Sequence, residues 1–322
     1  MARGNERPDH PGLHEDIAEE GYAYLDGAFV PLRDAKVSVA THALQYGTAV
    51  FEGIRAYWNA ADEELYLFRL HDHFARMERS CRIMRISLPG TTLELSALTV
   101  ELLRRNGRRT DQYVRPLAYK AARSVKVVLH GLRDGFAMYA FPLGAYLPVD
   151  GATAMTSSWQ RTPDTAIPAR GKISGSYVNT ALAADLAAEA GIDEAIFLTA
   201  DGHVSEGSSS NLFMVRDGLL VTPPVSADIL EGVTRATVMT LAEEELGMAV
   251  VERAIDRSEL YVADEIFFAG TGAQIAPCVE VDRRPIGDGR IGPIGRRLAA
   301  AYFAIARGED RRHAEWRTPV YR

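Results

Sequence analysis

Val204-Ser205-Glu206-Gly207-Ser208-Ser209-Ser210-Asn211-Leu212-Phe213 lies between two Asp-Gly dipeptides, Asp201-Gly202 and Asp217-Gly218. Asp-Gly tolerates positive φ, so apolar runs on either side of it predict hairpins. The runs Ala195 to Thr199, Leu212 to Val215 and Leu219 to Thr222 read as the strands, which puts Glu206 on antiparallel sheet edges. Tyr22-Ala23-Tyr24-Leu25-Asp26-Gly27-Ala28-Phe29-Val30 carries the same signal near the start of the chain. Helical periods lie between the strands. Leu70, Phe74, Met77, Cys81 and Met84 recur at spacings of four and three, an apolar stripe fit to lie on a sheet. Further helices are expected from about Ser176 to Glu189, stopped by Gly191, and from about Thr234 to Leu246, stopped by Gly247. Alternating strands and helices predict an α/β or α+β protein.

Upstream of Glu206 stands Ile167-Pro168-Ala169-Arg170-Gly171-Lys172-Ile173-Ser174-Gly175-Ser176-Tyr177. A lysine amine forms a Schiff base with an aldehyde, a tyrosine hydroxyl bonds a ring oxygen, and a buried carboxylate keeps a pyridine nitrogen protonated. Lys172, Tyr177 and Glu206 are the three residue types that pyridoxal phosphate needs. A lone lysine beside a glycine is most often a solvated loop charge. The glycines at 171 and 175, which let backbone approach a ligand, the tyrosine and the later glutamate with its small-residue run set this one apart.

The 322 residues, 47% of them hydrophobic and with net charge −7, allow two domains with separate cores. The expected division is a polar tail over 1–20, a small N-terminal domain over 21–141, a linker over 142–151 and a large domain over 152–322. The joint is Phe141-Pro142-Leu143-Gly144-Ala145-Tyr146-Leu147-Pro148-Val149-Asp150-Gly151, where Pro and Gly interrupt a strand over Phe136 to Phe141 before another begins near Ala154. Ligand sites favour such joints. No apolar run approaches the ~20 residues of a membrane span and the N-terminus lacks a signal-peptide core, so the expected location is the cytoplasm. Cys81 and Cys278 are too few for a disulfide framework and read as buried thiols. The acidic balance argues against nucleic acid. Arg104-Arg105-Asn106-Gly107-Arg108-Arg109 reads as a helix end and a turn. His71-Asp72-His73 projects its imidazoles apart on a helix, a poor start for a metal site.

A phosphate dianion needs donors, and two segments offer them. Leu230-Glu231-Gly232-Val233-Thr234-Arg235 enters a helix, and Ala269-Gly270-Thr271-Gly272-Ala273 follows a strand over Glu265 to Phe268. Periodicity does not choose among Arg69, Arg76, Arg79, Arg82 and Arg85 for the accompanying arginine. Tyr113 and Arg115 alternate onto one strand face, suited either to clamping a carboxylate or to packing a sheet edge.

With these residues the chain resembles the branched-chain amino-acid aminotransferases, class IV enzymes of pyridoxal-phosphate fold type IV, over about Tyr24 to Ala306. The resemblance rests on His42-Ala43-Leu44-Gln45-Tyr46-Gly47, Phe51-Glu52-Gly53-Ile54-Arg55-Ala56-Tyr57, Tyr113-Val114-Arg115-Pro116, Lys172 to Tyr177, Glu206 to Phe213 continuing to Thr222, and Gly232-Val233-Thr234-Arg235. It implies the D-amino-acid aminotransferase-like fold, with a small N-terminal α/β domain and a larger pseudo-barrel domain. It implies pyridoxal 5′-phosphate held covalently on Lys172, with Tyr177 on the ring oxygen, Glu206 on the pyridine nitrogen and Asn211 orienting nearby backbone. It further implies Leu230 against the ring, Arg76 on the phosphate, and Gly232, Val233, Thr234, Gly270 and Thr271 as phosphate cups. Phe51, Gly53, Arg55, Tyr113, Tyr146, Tyr177, Thr271 and Gly272 are implied at the substrate, with Arg115 recognising a carboxylate. Tyr46 is implied on a loop reaching the site of a partner in a homodimer.

The implied reaction transfers the amino group of leucine, isoleucine or valine to 2-oxoglutarate, giving branched 2-oxo acids and glutamate. A D-amino-acid or (R)-amine transaminase, an aminodeoxychorismate-lyase-like enzyme and an inactive binding protein share the fold. The Phe51 to Arg55 and Tyr113 to Pro116 segments weigh against the D-specific relative, and the intact Lys172, Tyr177 and Glu206 set weighs against the inactive one. Three positions depart from the family pattern: Leu143 for a tryptophan of some members, Gln45 for a second histidine, and Ser208-Ser209-Ser210 for a more glycine-rich run.

Overall fold

The Asp-Gly dipeptides turn the chain where the sequence places them. Strands β1 (Tyr22–Leu25) and β2 (Ala28–Pro31) meet at Asp26 and Gly27, whose φ angles of 44° and 102° are the left-handed values of a tight hairpin. The computed structural model describes Ile17 and residues 19–148 and 150–322, so the expected tail lies almost wholly outside the described residues. After the first hairpin come α1 (His42–Tyr46), β3 (Ala49–Phe51), β4 (Ile54–Asn59), β5 (Glu64–Phe68), α2 (Leu70–Ile83), α3 (Thr92–Asn106), β6 (Gln112–Lys120) and β7 (Asp134–Pro142). Then follow β8 (Ala152–Thr156), α4 (Tyr177–Glu189), β9 (Glu194–Leu198), β10 (Val204–Gly207), β11 (Asn211–Arg216), β12 (Leu219–Thr222) and α5 (Val233–Leu246). The chain closes with β13 (Val250–Glu252), β14 (Glu265–Gly270), β15 (Gln274–Val281), β16 (Arg284–Pro285), α6 (Pro293–Ala306) and β17 (Arg317–Pro319).

These strands form two sheets. The first has the order β17-β5-β4-β6-β7-β1-β2 with β3 beside β6; the second has β10-β9-β8-β15-β14-β11-β12-β13 with β16 beside β15. Glu206 lies on β10, an edge strand antiparallel to β9, as the Asp-Gly signals predict. The pairings β8 with β9, β8 with β15 and β12 with β13 are parallel, and no local sequence signal marks them. Crossover helices make two of them possible, α4 between β8 and β9 and α5 between β12 and β13.

The expected helices form within a residue of their predicted ends. Leu70, Phe74, Met77 and Cys81 of α2 are buried in one core with α3 and the first sheet, and Gly247 (φ 60°) ends α5. Helix α3 is recognised in the sequence only by its basic end. Thr91 and Glu94 cap its start reciprocally and Gly107, at φ 60°, closes it. Helices α5 and α6 cover the second sheet, burying Leu241, Leu298 and Ile305 with Phe213 and Phe267. Cys81 and Cys278 are buried, with thiols pushed up to about 12, chiefly by burial.

Strand β17, although inside the 152–322 stretch, pairs with β5 of the first sheet. The reason is Glu64, a fully buried carboxylate at the start of β5. It accepts the amides of Leu65 at 2.8 Å, Val320 at 3.0 Å, Tyr321 at 2.8 Å and Arg322 at 3.0 Å. Glu64→Leu leaves buried donors unpaired, at about 1–3 kcal/mol for such a group. The expected result is a lower melting temperature and faster amide exchange at Val320 to Arg322. Unchanged exchange would mean that strand pairing alone holds this end.

Candidate active site

The break between β3 and β4 begins the site. Residues 49–51 pair with 117–119 of β6 and residues 54–56 with 112–114, leaving Glu52-Gly53 opposite Arg115-Pro116. Pro116 accepts the Glu52 amide at 2.9 Å but has no N–H to return, so the ladder opens there. Phe51 and Gly53 then line a cavity between the two sheets, together with Tyr113 and Arg115 from the facing strand. A Cβ at Gly53 would fall 1.8 Å from the Tyr113 hydroxyl, so a larger residue there would displace that ring. The cavity measures about 380 Å³, within the ~300–1,000 Å³ of small-molecule sites.

Lys172 is fixed in the cavity by its backbone. Its carbonyl accepts the Phe51 amide at 3.1 Å and its own amide reaches Ser80 Oγ on α2 at 3.1 Å. Gly175, expected to approach a ligand, instead approaches Gly47, whose carbonyl accepts the Gly175 amide at 3.1 Å. The Lys172 amine donates to the Tyr177 hydroxyl at 2.6 Å and lies 4.8 Å from the centre of the Phe51 ring. Burial, and then the Arg76 charge, lower its pKa to about 8. Tyr177 is pushed up to about 12, by burial first and the Glu206 charge next, so its hydroxyl keeps its proton.

Glu206 lines the same cavity and is held on both oxygens. Arg161 Nη2 lies 2.8 Å from Oε1, while Asn211 Nδ2 at 3.0 Å and the Leu230 amide at 3.1 Å donate to Oε2. Burial raises the Glu206 pKa and the Arg161 charge works against it. Asn211 also donates to Leu230 O at 2.9 Å, which fixes the turn before α5. Helix α5 begins at Gly232 without a side-chain cap, so Val233 and Thr234 bring free first-turn amides to the cavity wall. Of the five arginines that periodicity leaves open, Arg76 lines the cavity, its Nη1 3.2 Å from Glu231 O and one N–H each of Nε and Nη2 on Glu52. The donor set suits pyridoxal phosphate: oriented anion donors, an amine of lowered pKa, a phenol and a buried carboxylate share one cavity.

Gly270, Thr271, Gly272 and Tyr146 also line it. One residue implied at the substrate does not. Arg55 is 1% exposed, and its guanidinium donates to Thr271 O at 3.0 Å, Gly272 O at 2.9 Å, Leu143 O at 2.6 Å and Gly144 O at 2.8 Å. With its donors engaged by carbonyls it backs the cavity wall and does not form it. In a trans peptide the N–H points away from the C=O of the preceding residue, so with Thr271 O on Arg55 the Gly272 amide turns away from Arg55. Tyr46, implied at the site of a partner and not at this chain's own, ends helix α1, is 38% exposed and bonds Val125 O at 3.0 Å.

Sequence reasoning missed Glu52 and Arg161. A carboxylate inside an apolar strand segment was a usable signal for Glu52; Arg161, in an irregular loop, carried none. Of the departures, Gln45 is exposed and bonds Val39 O. Leu143 lines the cavity, and so do Ser208, Ser209 and Ser210. Buried Glu194 steadies that serine run, accepting the Ser208 amide at 3.0 Å and Ser210 Oγ at 3.2 Å. His73, one half of the His-Asp-His pattern, is bonded to Glu52, and the other, His71, lies 3.4 Å from Ser96 Oγ.

Comparison with known proteins places this geometry. The family described as Amino-transferase class IV matches residues 49–281. A probable branched-chain-amino-acid aminotransferase of Aquifex aeolicus is 44% identical over 301 residues, 93% of this chain and 97% of its own length. The crystal structure of the branched-chain aminotransferase of Thermoproteus uzoniensis with norvaline superposes with a TM-score of 0.90 at 44% identity, covering 94% of this chain and 99% of that one. The branched-chain amino acid aminotransferase of Thermobaculum terrenum in its PLP-form, the holo-form, gives 0.90 at 39% identity with the same coverage.

The lowered pKa of Lys172 is open to titration. The neutral amine is the form that attacks an aldehyde, and it is half-populated at about pH 8 here, against about 10.4 for an ordinary lysine. Reductive labelling of Lys172 in the cofactor-free protein should therefore rise through pH 8 and level off above it. A rate still climbing at pH 10 would mean that the amine is as basic as one in water.

Proposed function

The chain belongs to the class IV aminotransferases, and on that footing we propose that it transfers the amino group of branched-chain L-amino acids to 2-oxoglutarate. Its fold is fold type IV, its cofactor is pyridoxal 5′-phosphate and its substrates are amino acids and 2-oxo acids. The observation that carries the reading is the Lys172 amine, of lowered pKa and bonded to Tyr177, in one cavity with Glu206, Arg76 and the uncapped start of α5.

When bound, the cofactor supplies an aldehyde for the amino group and an electron-poor ring that takes up the electron pair left at the α-carbon. Arg76, the α5 amides and Thr234 hold its phosphate, with Gly270 and Thr271 as the second cup. Tyr177 keeps its proton and bonds the ring oxygen, Leu230 packs on the ring, and Glu206 holds the ring nitrogen protonated. The Lys172 amine takes the proton from the substrate α-carbon and returns it beyond the transferring nitrogen, to the former aldehyde carbon two bonds away, a task that suits a base titrating near pH 8. The Gly272 amide and the Tyr113 hydroxyl bind the α-carboxylate. Phe51 and Tyr146 give the side chain an apolar wall. Arg115 has its guanidinium 4.6 Å from the Phe51 ring centre and a buried Nε without a partner among the described residues. That free donor reads the second carboxylate of glutamate, so one pocket accepts both an aliphatic and an acidic side chain.

The protein acts as a homodimer in the cytoplasm, with a small domain over 21–141, a linker over 142–151 and a large domain over 152–322. Val39, Leu44, Tyr46, Val125 and Val127 are exposed apolar side chains around the Tyr46–Val125 bond, a surface suited to a second copy. No helix among the described residues is long and apolar enough to cross a membrane.

Turnover with L-leucine, D-alanine, an (R)-arylamine and aminodeoxychorismate tests the reading. L-Leucine with 2-oxoglutarate should lead, Lys172→Ala should abolish transfer, and borohydride should fix the cofactor on Lys172. Preference for D-alanine or the arylamine would replace the proposed substrate, and a tag on another lysine would remove Lys172 from its role. Arg115→Leu separates the two half-reactions. A lost charge-assisted bond, ~1.5–3 kcal/mol, slows glutamate about ten- to a hundredfold and leucine less. Single-turnover rates decide it; equal losses would put Arg115 on the α-carboxylate.

A further inference from the structure

Strand alternation sends Phe51 and Gly53 into the cavity and Glu52 to the other side, where it is fully buried. There Oε1 accepts Arg76 Nε at 2.7 Å, and Oε2 accepts Arg76 Nη2 at 2.8 Å and bonds His73 Nδ1 at 2.8 Å. The Gly53 amide reaches the same oxygen at 3.3 Å. We propose that Glu52 is a positioning residue for cofactor binding, holding the Arg76 fork so that its remaining donors meet the phosphate while it ties the same fork to the strand that walls the substrate. The proposal rests on the reading of Arg76 as the phosphate arginine.

The geometry leaves Arg76 little freedom. Of the five N–H groups of a guanidinium, two go to Glu52 and one to Glu231 O, which leaves two for the cavity. Without the carboxylate a long, rotamer-rich side chain has no reason to keep that orientation. Charge points the same way. Burial works to raise the Glu52 pKa, but Arg76 and the His73 bond outweigh it and hold the carboxyl well below its usual range. Burial, its leading influence, lowers the His73 pKa and favours the neutral ring. Glu52 therefore cancels the Arg76 charge, and the phosphate cup works by aimed donors more than by net positive charge. Glu231 O carries the chain on to Gly232, so one carboxylate joins the phosphate cup at α5 to the strand that bears Phe51 and Gly53.

Glu52→Gln keeps the shape and one acceptor oxygen but loses the charged, two-pronged grip. The test compares equilibrium dissociation constants of the cofactor-free protein for pyridoxal phosphate and for pyridoxal, which has no phosphate. The variant should lose about ten- to a hundredfold in affinity for pyridoxal phosphate and less than about twofold for pyridoxal. Combining it with Arg76→Leu should add nothing to the loss that Arg76→Leu causes alone. Equal losses for both ligands would make Glu52 a general packing residue, and no loss would make it irrelevant to the phosphate; either result overturns the proposal. Arg76→Leu on its own separates the two readings. If it weakens both ligands alike, the phosphate role of Arg76 itself fails; if it is selective and Glu52→Gln is not, only the role of Glu52 falls. Should Glu52→Gln not fold, His73→Leu, which removes one donor from the same carboxylate, should give a smaller loss selective for pyridoxal phosphate, and an unselective one would overturn the proposal.

Discussion

Arg55 is a buried cation that no carboxylate among the described residues neutralises. Removing such a group from water costs several kcal/mol, and here four carbonyl dipoles from two separate segments provide the compensation. A guanidinium presents its donors in a plane, so the connector at Leu143-Gly144 and the turn at Thr271-Gly272 are drawn onto one planar fork. Two residues farther along β4, Tyr57 bonds Tyr302 of α6 at 3.0 Å and receives Gln274 at 3.2 Å. A single strand of the first sheet thus secures the second sheet, its covering helix and the connector. The cavity lies along that seam, and the direction of its peptide groups follows from which carbonyls Arg55 claims.

Charges around the cavity obey one rule. Glu206, whose pKa burial raises, has Arg161 working against that rise, and Arg76 has Glu52, so each of these buried groups faces an opposite charge. Lys172 is buried, has the positive Arg76 close by and has no carboxylate partner among the described residues, so its amine loses its proton more readily than in water. The pairing that fixes the permanent charges leaves one group free to change its state. An enzyme that moves a proton along a substrate needs that division between a rigid electrostatic frame and one responsive base.

Much of the fold was legible because its signals are local. Asp26-Gly27 and Asp217-Gly218 turn with positive φ at both residues, since the side-chain and backbone preferences behind those hairpins act over two residues. The α2 stripe was legible because a helix repeats its face every few residues. Helix α3 announced itself only through its basic end at Arg104-Arg105, a shorter signal. The three parallel pairings were not legible, because they join strands far apart in the chain, with no hairpin turn between them to fix the pairing.

For the site, the sequence by itself determined the chemistry: an amine, a phenol, a carboxylate and two segments able to bind an anion, each marked by residue type and local spacing. Its resemblance to known enzymes picked out Arg76 where helical spacing left five arginines equal. Only the tertiary structure decided which charges are paired. Glu52 and Arg76 lie on different elements, and so do Arg161 and Glu206; their contacts depend on how strands and helices pack, which short-range sequence patterns do not encode. The same cause explains Arg55, whose motif points to the substrate but whose donors meet four carbonyls first. Residue types set which groups are available, while burial and partner geometry set which of them face the ligand, which hold the frame and which can titrate.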